Sequence, residues 1–99
     1  MPNHNKLTDA ETERLAILAE EMGEVIQIIG KVLRHGYDSR NPFTEDAPTN
    51  RQELEKELGD VELLIYLMAE AKDIDRNVID KRRIAKGKAI KQWLHHQDD

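Results

Sequence analysis

A chain of 99 residues with 35% charged and 4% aromatic side chains has room for one domain, and it suits a charged helical surface better than a sandwich or barrel. The net charge of −5 weighs against a general nucleic-acid binder, and the lack of cysteine excludes disulfides and thiolate metal sites. The polar start from Pro2 to Asn5 lacks signal-peptide character and no apolar run approaches a membrane span, so a cytoplasmic protein is expected, with no nucleic acid or membrane as partner.

Within the expected single domain, 1–99, residues 1–7 show no periodicity and should fray. Thr8-Asp9-Ala10-Glu11 has the form of a capping box, Thr8 as N-cap and Glu11 reaching back. The helix it opens should run to about His35, with Gly36 as the stop. Its expected core stripe is Leu15, Leu18, Met22, Val25, Ile29 and Val32, with Ile26 and Leu33 alongside. Glu21 and Glu24 fall at one edge of that stripe, and Ile28, Lys31 and His35 continue the edge. Gly23 and Gly30 interrupt the helix on the far side, each costing about 1 kcal/mol against Ala, which points to a close backbone approach or a kink.

Residues 36–49, with Pro42 and Pro48, should form a loop long enough to be functional. Capping signals at Asn50 with Glu53, or Thr49 with Gln52, open a second helix expected to reach about Lys72. Its stripe is Leu54, Leu58, Val61, Ile65 and Met68, with Leu64 beside it, and Glu53, Glu57 and Asp60 at one edge. Tyr66 falls on the opposite side, while Leu63 and Leu67 widen the apolar surface enough for more than one neighbour. Asp75 is the expected N-cap of a third helix carrying Val78, Ile79, Ala85, Ala89, Trp93 and Leu94, and rich in Arg and Lys, including Lys86 and Lys88. The tail 95–99 should fray. The expected fold is all-α: a helical hairpin plus a third helix, completing a four-helix-type bundle on oligomerisation.

The acids carry the chemistry. Residues three or four apart share a helical face, so Glu21 projects with Glu24 and Glu57 with Asp60. Carboxylates brought together repel unless a cation sits among them, and all-oxygen donors favour Mg²⁺ or Mn²⁺ over zinc or copper. Mg²⁺ binds through a few carboxylates plus substrate phosphates, so a polyphosphate is the natural partner, with Lys31, His35 and the basic third helix as counter-charge. Glu20 or Glu21 could orient or deprotonate an attacking water. Other metal and nucleophile chemistries lack their residues. No His follows a Glu by three, and there is no His-Glu-x-x-His, Walker or EF-hand spacing. Ser39, the lone serine, has no Gly-rich elbow.

With both motifs in hand, Glu20-Glu21-Met22-Gly23-Glu24 and Glu57-Leu58-Gly59-Asp60, the chain resembles the MazG-like all-α nucleoside triphosphate pyrophosphatases over about residues 14–94. Lys31 to Tyr37 followed by Thr49-Asn50-Arg51 is similar to a small phage and bacterial branch of them. The resemblance implies hydrolysis of a nucleoside or deoxynucleoside triphosphate to the monophosphate and pyrophosphate with Mg²⁺ or Mn²⁺. It implies Glu21, Glu24, Glu57 and Asp60 as metal ligands, with Glu20 as a further ligand or water-orienting group. A homodimer or homotetramer sharing its nucleotide sites between chains is implied as well. Many relatives pair Lys with Asn on the third helix; this chain has Lys86-Gly87-Lys88, which leaves Lys86 and Lys88 as candidate phosphate contacts. The alternatives are a non-catalytic helical interaction module and a related dinucleotide or phosphoribosyl-ATP pyrophosphatase.

Overall fold

Local signals set where the helices begin and end. In the computed structural model, which describes residues 4–97, Thr8 and Glu11 form the reciprocal capping box and start α1, Asp9–His35. The Thr8 amide donates to Glu11 Oε1 at 2.7 Å, and the Glu11 amide to Thr8 Oγ1 at 3.1 Å. Gly36 ends the helix with φ of +88°, a conformation that a side chain would strain, and its amide donates to the Val32 carbonyl at 2.7 Å. Thr49 and Gln52 form a second capping box and open α2, Asn50–Glu70; of the two caps the sequence offers, this is the one used. α2 stops two residues short of Lys72, which takes a positive φ of 65°. Asp75 caps α3, Arg76–Ala89, by accepting from the Asn77 amide at 2.8 Å. The stretch expected to continue as helix to Leu94 tightens instead into a 3₁₀ turn, Ile90–Trp93. Among the described residues there is no strand, only a single bridge between Arg40 and Thr49. The fold is all-α. The fraying expected at residues 1–3 and 98–99 falls outside the described residues.

α1 and α2 form an antiparallel hairpin pinned at both ends. At the open end, Arg14 makes a two-pronged ion pair with Asp73, at 2.7 and 3.0 Å. At the closed end, the connecting segment is laced to the start of α2. The Asn50 amide donates to the Ser39 carbonyl and the Arg51 amide to the Tyr37 carbonyl, both at 2.9 Å, and Asn50 Nδ2 to the Gly36 carbonyl at 3.0 Å. Arg40 donates to the Ala47 carbonyl at 2.7 Å, and the Arg51 guanidinium lies 4.6 Å from the centre of the Tyr37 ring. These bonds satisfy backbone groups that a long connection would otherwise leave to water.

The packed seam corrects the expected core stripe. α1 turns Leu18, Glu21, Val25, Ile28 and Val32 toward α2, spaced by three and four residues, and Ile28 is its buried member. α2 answers with Leu54, Glu57, Val61, Leu64 and Met68, of which Glu57, Leu64 and Met68 are buried. The acids therefore lie inside the seam rather than at its edge. Much of the expected α1 stripe is open instead, with Met22, Ile26, Ile29 and Leu33 all exposed, as are Leu58, Leu63 and Leu67 on α2. Each helix carries more apolar surface than one partner helix covers, so a hairpin buries only part of it. Among the described residues no other helix approaches either glycine within the chain: nothing lies within 4 Å of a Cβ placed at Gly23, and a Cβ at Gly30 would meet only the Arg34 side chain of α1 itself, at 3.3 Å.

α3 does not pack along the hairpin and buries no residue; Val78, Ile84 and Trp93 are all exposed. The radius of gyration is 17.5 Å, against about 13 Å for a compact chain of 100 residues. The accessible surface is 8450 Å², against about 5,800 Å² for a compact monomer of this mass.

Candidate functional site

The mid-seam position of the acids fixes their geometry. Glu21 comes from α1, and Glu57 and Asp60 from successive turns of α2. One carboxylate oxygen of each lies within 4.8 Å of the other two. Glu57 is buried, at 8% exposure, an unusual place for a carboxylate. Glu21 Oε2 and Glu57 Oε2 are both shut off from solvent and have no hydrogen-bond donor. A buried carboxylate oxygen without a donor is costly, and two side by side more so. A shared proton relieves that cost in part, and a cation among the oxygens relieves it fully.

The ionisation behaviour follows. Burial pushes the Glu21 carboxyl up to about 7, helped by sharing a proton with Glu57 and by the charges of Glu24, Asp60 and Glu57. Glu24 is raised too, first by its hydrogen bond with Glu57 and then by the Glu57 charge. Glu57 goes the other way: proton sharing with Glu24 and Glu21 and the ammonium of Lys56, 3.5 Å away, lower it against the cost of its burial. Proton sharing makes Glu57 the anion and its α1 neighbours the proton holders.

The donor set suits a hard divalent cation. All donors are carboxylate oxygens, they converge from two helices, and two of them have no other partner. Zinc or copper sites would call for nitrogen or sulfur donors, which the cluster lacks.

A family model for the MazG nucleotide pyrophosphohydrolase domain matches residues 10–90. The chain belongs to the MazG nucleotide pyrophosphohydrolase family. MazG domains act on nucleotides and are generally metal-dependent, in keeping with a carboxylate cluster on two helices. No curated protein and no solved structure was found to match the chain.

Against this MazG fold, the residues expected from sequence separate into groups. Glu21, Glu57 and Asp60 form the tight set, and Glu24 stands outside it but within hydrogen-bonding reach of Glu57. Glu20 is exposed beside them. Lys31 turns away to an ion pair with Glu53 at 3.4 Å, and with His35 it lines a cavity at the closed end of the hairpin. Lys86 and Lys88 ride on α3, which a single chain does not bring against the acids. Sequence reasoning missed the Arg14–Asp73 clamp and the cavity. Asn50, seven residues before Glu57 and so on its face, was the available signal for the cavity.

Proposed function

We propose that the protein hydrolyses a nucleoside or deoxynucleoside triphosphate to the monophosphate and pyrophosphate, with Mg²⁺ or Mn²⁺ held by Glu21, Glu24, Glu57 and Asp60. The observation that carries this reading is the pair of donorless, solvent-shielded oxygens on Glu21 and Glu57, beside Asp60, within a MazG domain. When bound, the divalent ion would polarise the phosphoryl group and acidify water. The chain's own groups do the rest. The seam holds the carboxylates in place, so little reorganisation is needed on binding. Glu20, next to Glu21 in the chain and exposed, would orient the attacking water and take its proton as the bond to the pyrophosphate leaving group breaks. Lys31, on exchange from Glu53, would bring positive charge to the phosphates, and His35 a hydrogen bond.

A second copy of the chain completes this reading. The surface in excess of a compact monomer, roughly 2,600 Å² per chain, is ample for a stable homodimer interface, which buries about 2,000–5,000 Å² summed over both partners. It includes the apolar residues Ile26, Leu33, Val78 and Trp93. In a homodimer or homotetramer, α3 of one copy can bring Lys86 and Lys88 to the groove of the next. No helix among the described residues is long and apolar enough to cross a membrane.

The test is a product assay over the common ribo- and deoxyribonucleoside triphosphates, scoring pyrophosphate and orthophosphate separately. Pyrophosphate and monophosphate should appear only with Mg²⁺ or Mn²⁺, and Glu57→Gln should abolish both. Orthophosphate as the sole inorganic product, or turnover indifferent to metal, would defeat the reading.

A further inference from the structure

A cavity of about 580 Å³ opens at the closed end of the hairpin, where α1, the 37–49 segment and the start of α2 meet. That volume is in the range of small-molecule sites. Lys31 and His35 line it from α1, Arg40 and Phe43 from the connecting segment, and Asn50 and Glu53 from α2.

Helix geometry ties this cavity to the acid cluster. Lys31 and His35 follow Glu24 by seven and eleven residues, and Asn50 precedes Glu57 by seven. At 100° per residue, each falls within about 20° of its acid around the helix. On α2 the cavity therefore lies about 10 Å from Glu57, the rise of the seven residues that separate it from Asn50, and on α1 Lys31 stands the same distance beyond Glu24, the acid within reach of Glu57. A triphosphate chain and its sugar can bridge that gap. The Lys31–Glu53 ion pair stands at the boundary, its lysine available to phosphate by exchange from Glu53.

The lining has the chemistry of a nucleoside site. Phe43 is 95% exposed, so its ring is left without packing at the cavity rim. The His35 imidazole, the Arg40 guanidinium and the Glu53 carboxylate line the same cavity. The wall is also built in advance. Asn50 is buried and bonded to the Gly36 carbonyl, its amide is bonded to Ser39, and Arg40 is tied to the Ala47 carbonyl. A preformed wall spares a ligand the entropy of ordering it.

We propose that this cavity is the subsite for the nucleoside end of the substrate, with the base stacked on Phe43. The proposal rests on the nucleotide-hydrolase reading above. It assigns the 37–49 segment, rather than the acids, the task of holding base and sugar.

Steady-state kinetics of wild type, Phe43→Ala and Phe43→Trp over the nucleoside triphosphate panel test this, with inorganic tripolyphosphate as a base-free competitor. Base–aromatic stacking strengths put the rise in KM for Phe43→Ala at about tenfold. The inhibition constant of tripolyphosphate should not move, and Phe43→Trp should restore KM. Phe43 supports no packing within the chain, so the alanine variant should fold. Unchanged KM for every nucleotide would overturn the proposal, as would an equal shift for tripolyphosphate. A change in oligomeric mass with KM unaltered would also overturn it, placing Phe43 in a subunit contact. If wild type releases pyrophosphate from no nucleotide, the hydrolase reading itself fails. Amide-resolved NMR titration with nucleoside monophosphates then decides the cavity separately: shifts at Arg40, Phe43 and Asn50 support it, and their absence overturns it.

Discussion

Protons and metal compete for the same oxygens, and that competition has a calculable size. Glu21 holds its proton up to about pH 7, mainly because it is desolvated. A divalent ion requires the carboxylate, so metal binding must displace that proton. At pH 8 nearly all sites are already ionised at Glu21, whereas at pH 6 only about one in ten is. Apparent affinity for Mn²⁺ should therefore be about tenfold weaker at pH 6 than at pH 8. Glu24, also raised, changes affinity in the same direction. Isothermal titration calorimetry in two buffers of different ionisation heat reads both the affinity and the proton released. Glu21→Gln should bind more weakly and lose most of the pH slope. Equal wild-type affinity at pH 6 and pH 8, or an undiminished slope in Glu21→Gln, would refute the reasoning.

Three further outcomes are expected. Without metal, the folded chain keeps a proton on Glu21 between its ordinary value of 4.5 and about 7, where the unfolded chain has lost it. Its contribution is thus present in full below 4.5 and lost as pH rises through 7; melting in EDTA should show that decline, and saturating Mg²⁺ should stabilise most at the alkaline end. Leu64, 5% exposed in the middle of the seam, should cost about 2–5 kcal/mol on replacement by Ala, read as a lower urea midpoint. Leu33 is 82% exposed, and Leu33→Glu should convert a dimer or tetramer to a smaller species in light scattering while helicity persists; an unchanged mass would place the subunit contact elsewhere.

The sequence showed most clearly what local chemistry decides. Thr8 with Glu11, Gly36, Thr49 with Gln52, and Asp75 each act within a few residues, and each marks a helix boundary in the fold. The two acidic motifs were legible for the same reason, since spacing along one helix fixes a shared face. The choice of seam was not. α1 carries two overlapping apolar arcs, one through Met22, Ile26 and Leu33 and one through Leu18, Val25 and Val32, and the expected stripe drew on both because hydrophobicity alone does not separate them. Arg14 and Asp73, 59 residues apart, help select the second by pinning the open end of the hairpin, and no local pattern announces that pair. Likewise, the path of the 37–49 segment depends on Asn50 and Arg40 reaching back to carbonyls of Gly36 and Ala47, so a cavity could not be foreseen from composition alone.

Crystals grown with Mn²⁺ and measured for anomalous scattering test the metal-centre claim most directly. The expected result is a peak bonded to carboxylate oxygens of Glu21, Glu57 and Asp60, at the short distances of a hard divalent ion, and missing in Glu57→Gln. No peak among those carboxylates at saturating Mn²⁺, or one that survives in Glu57→Gln, would contradict it.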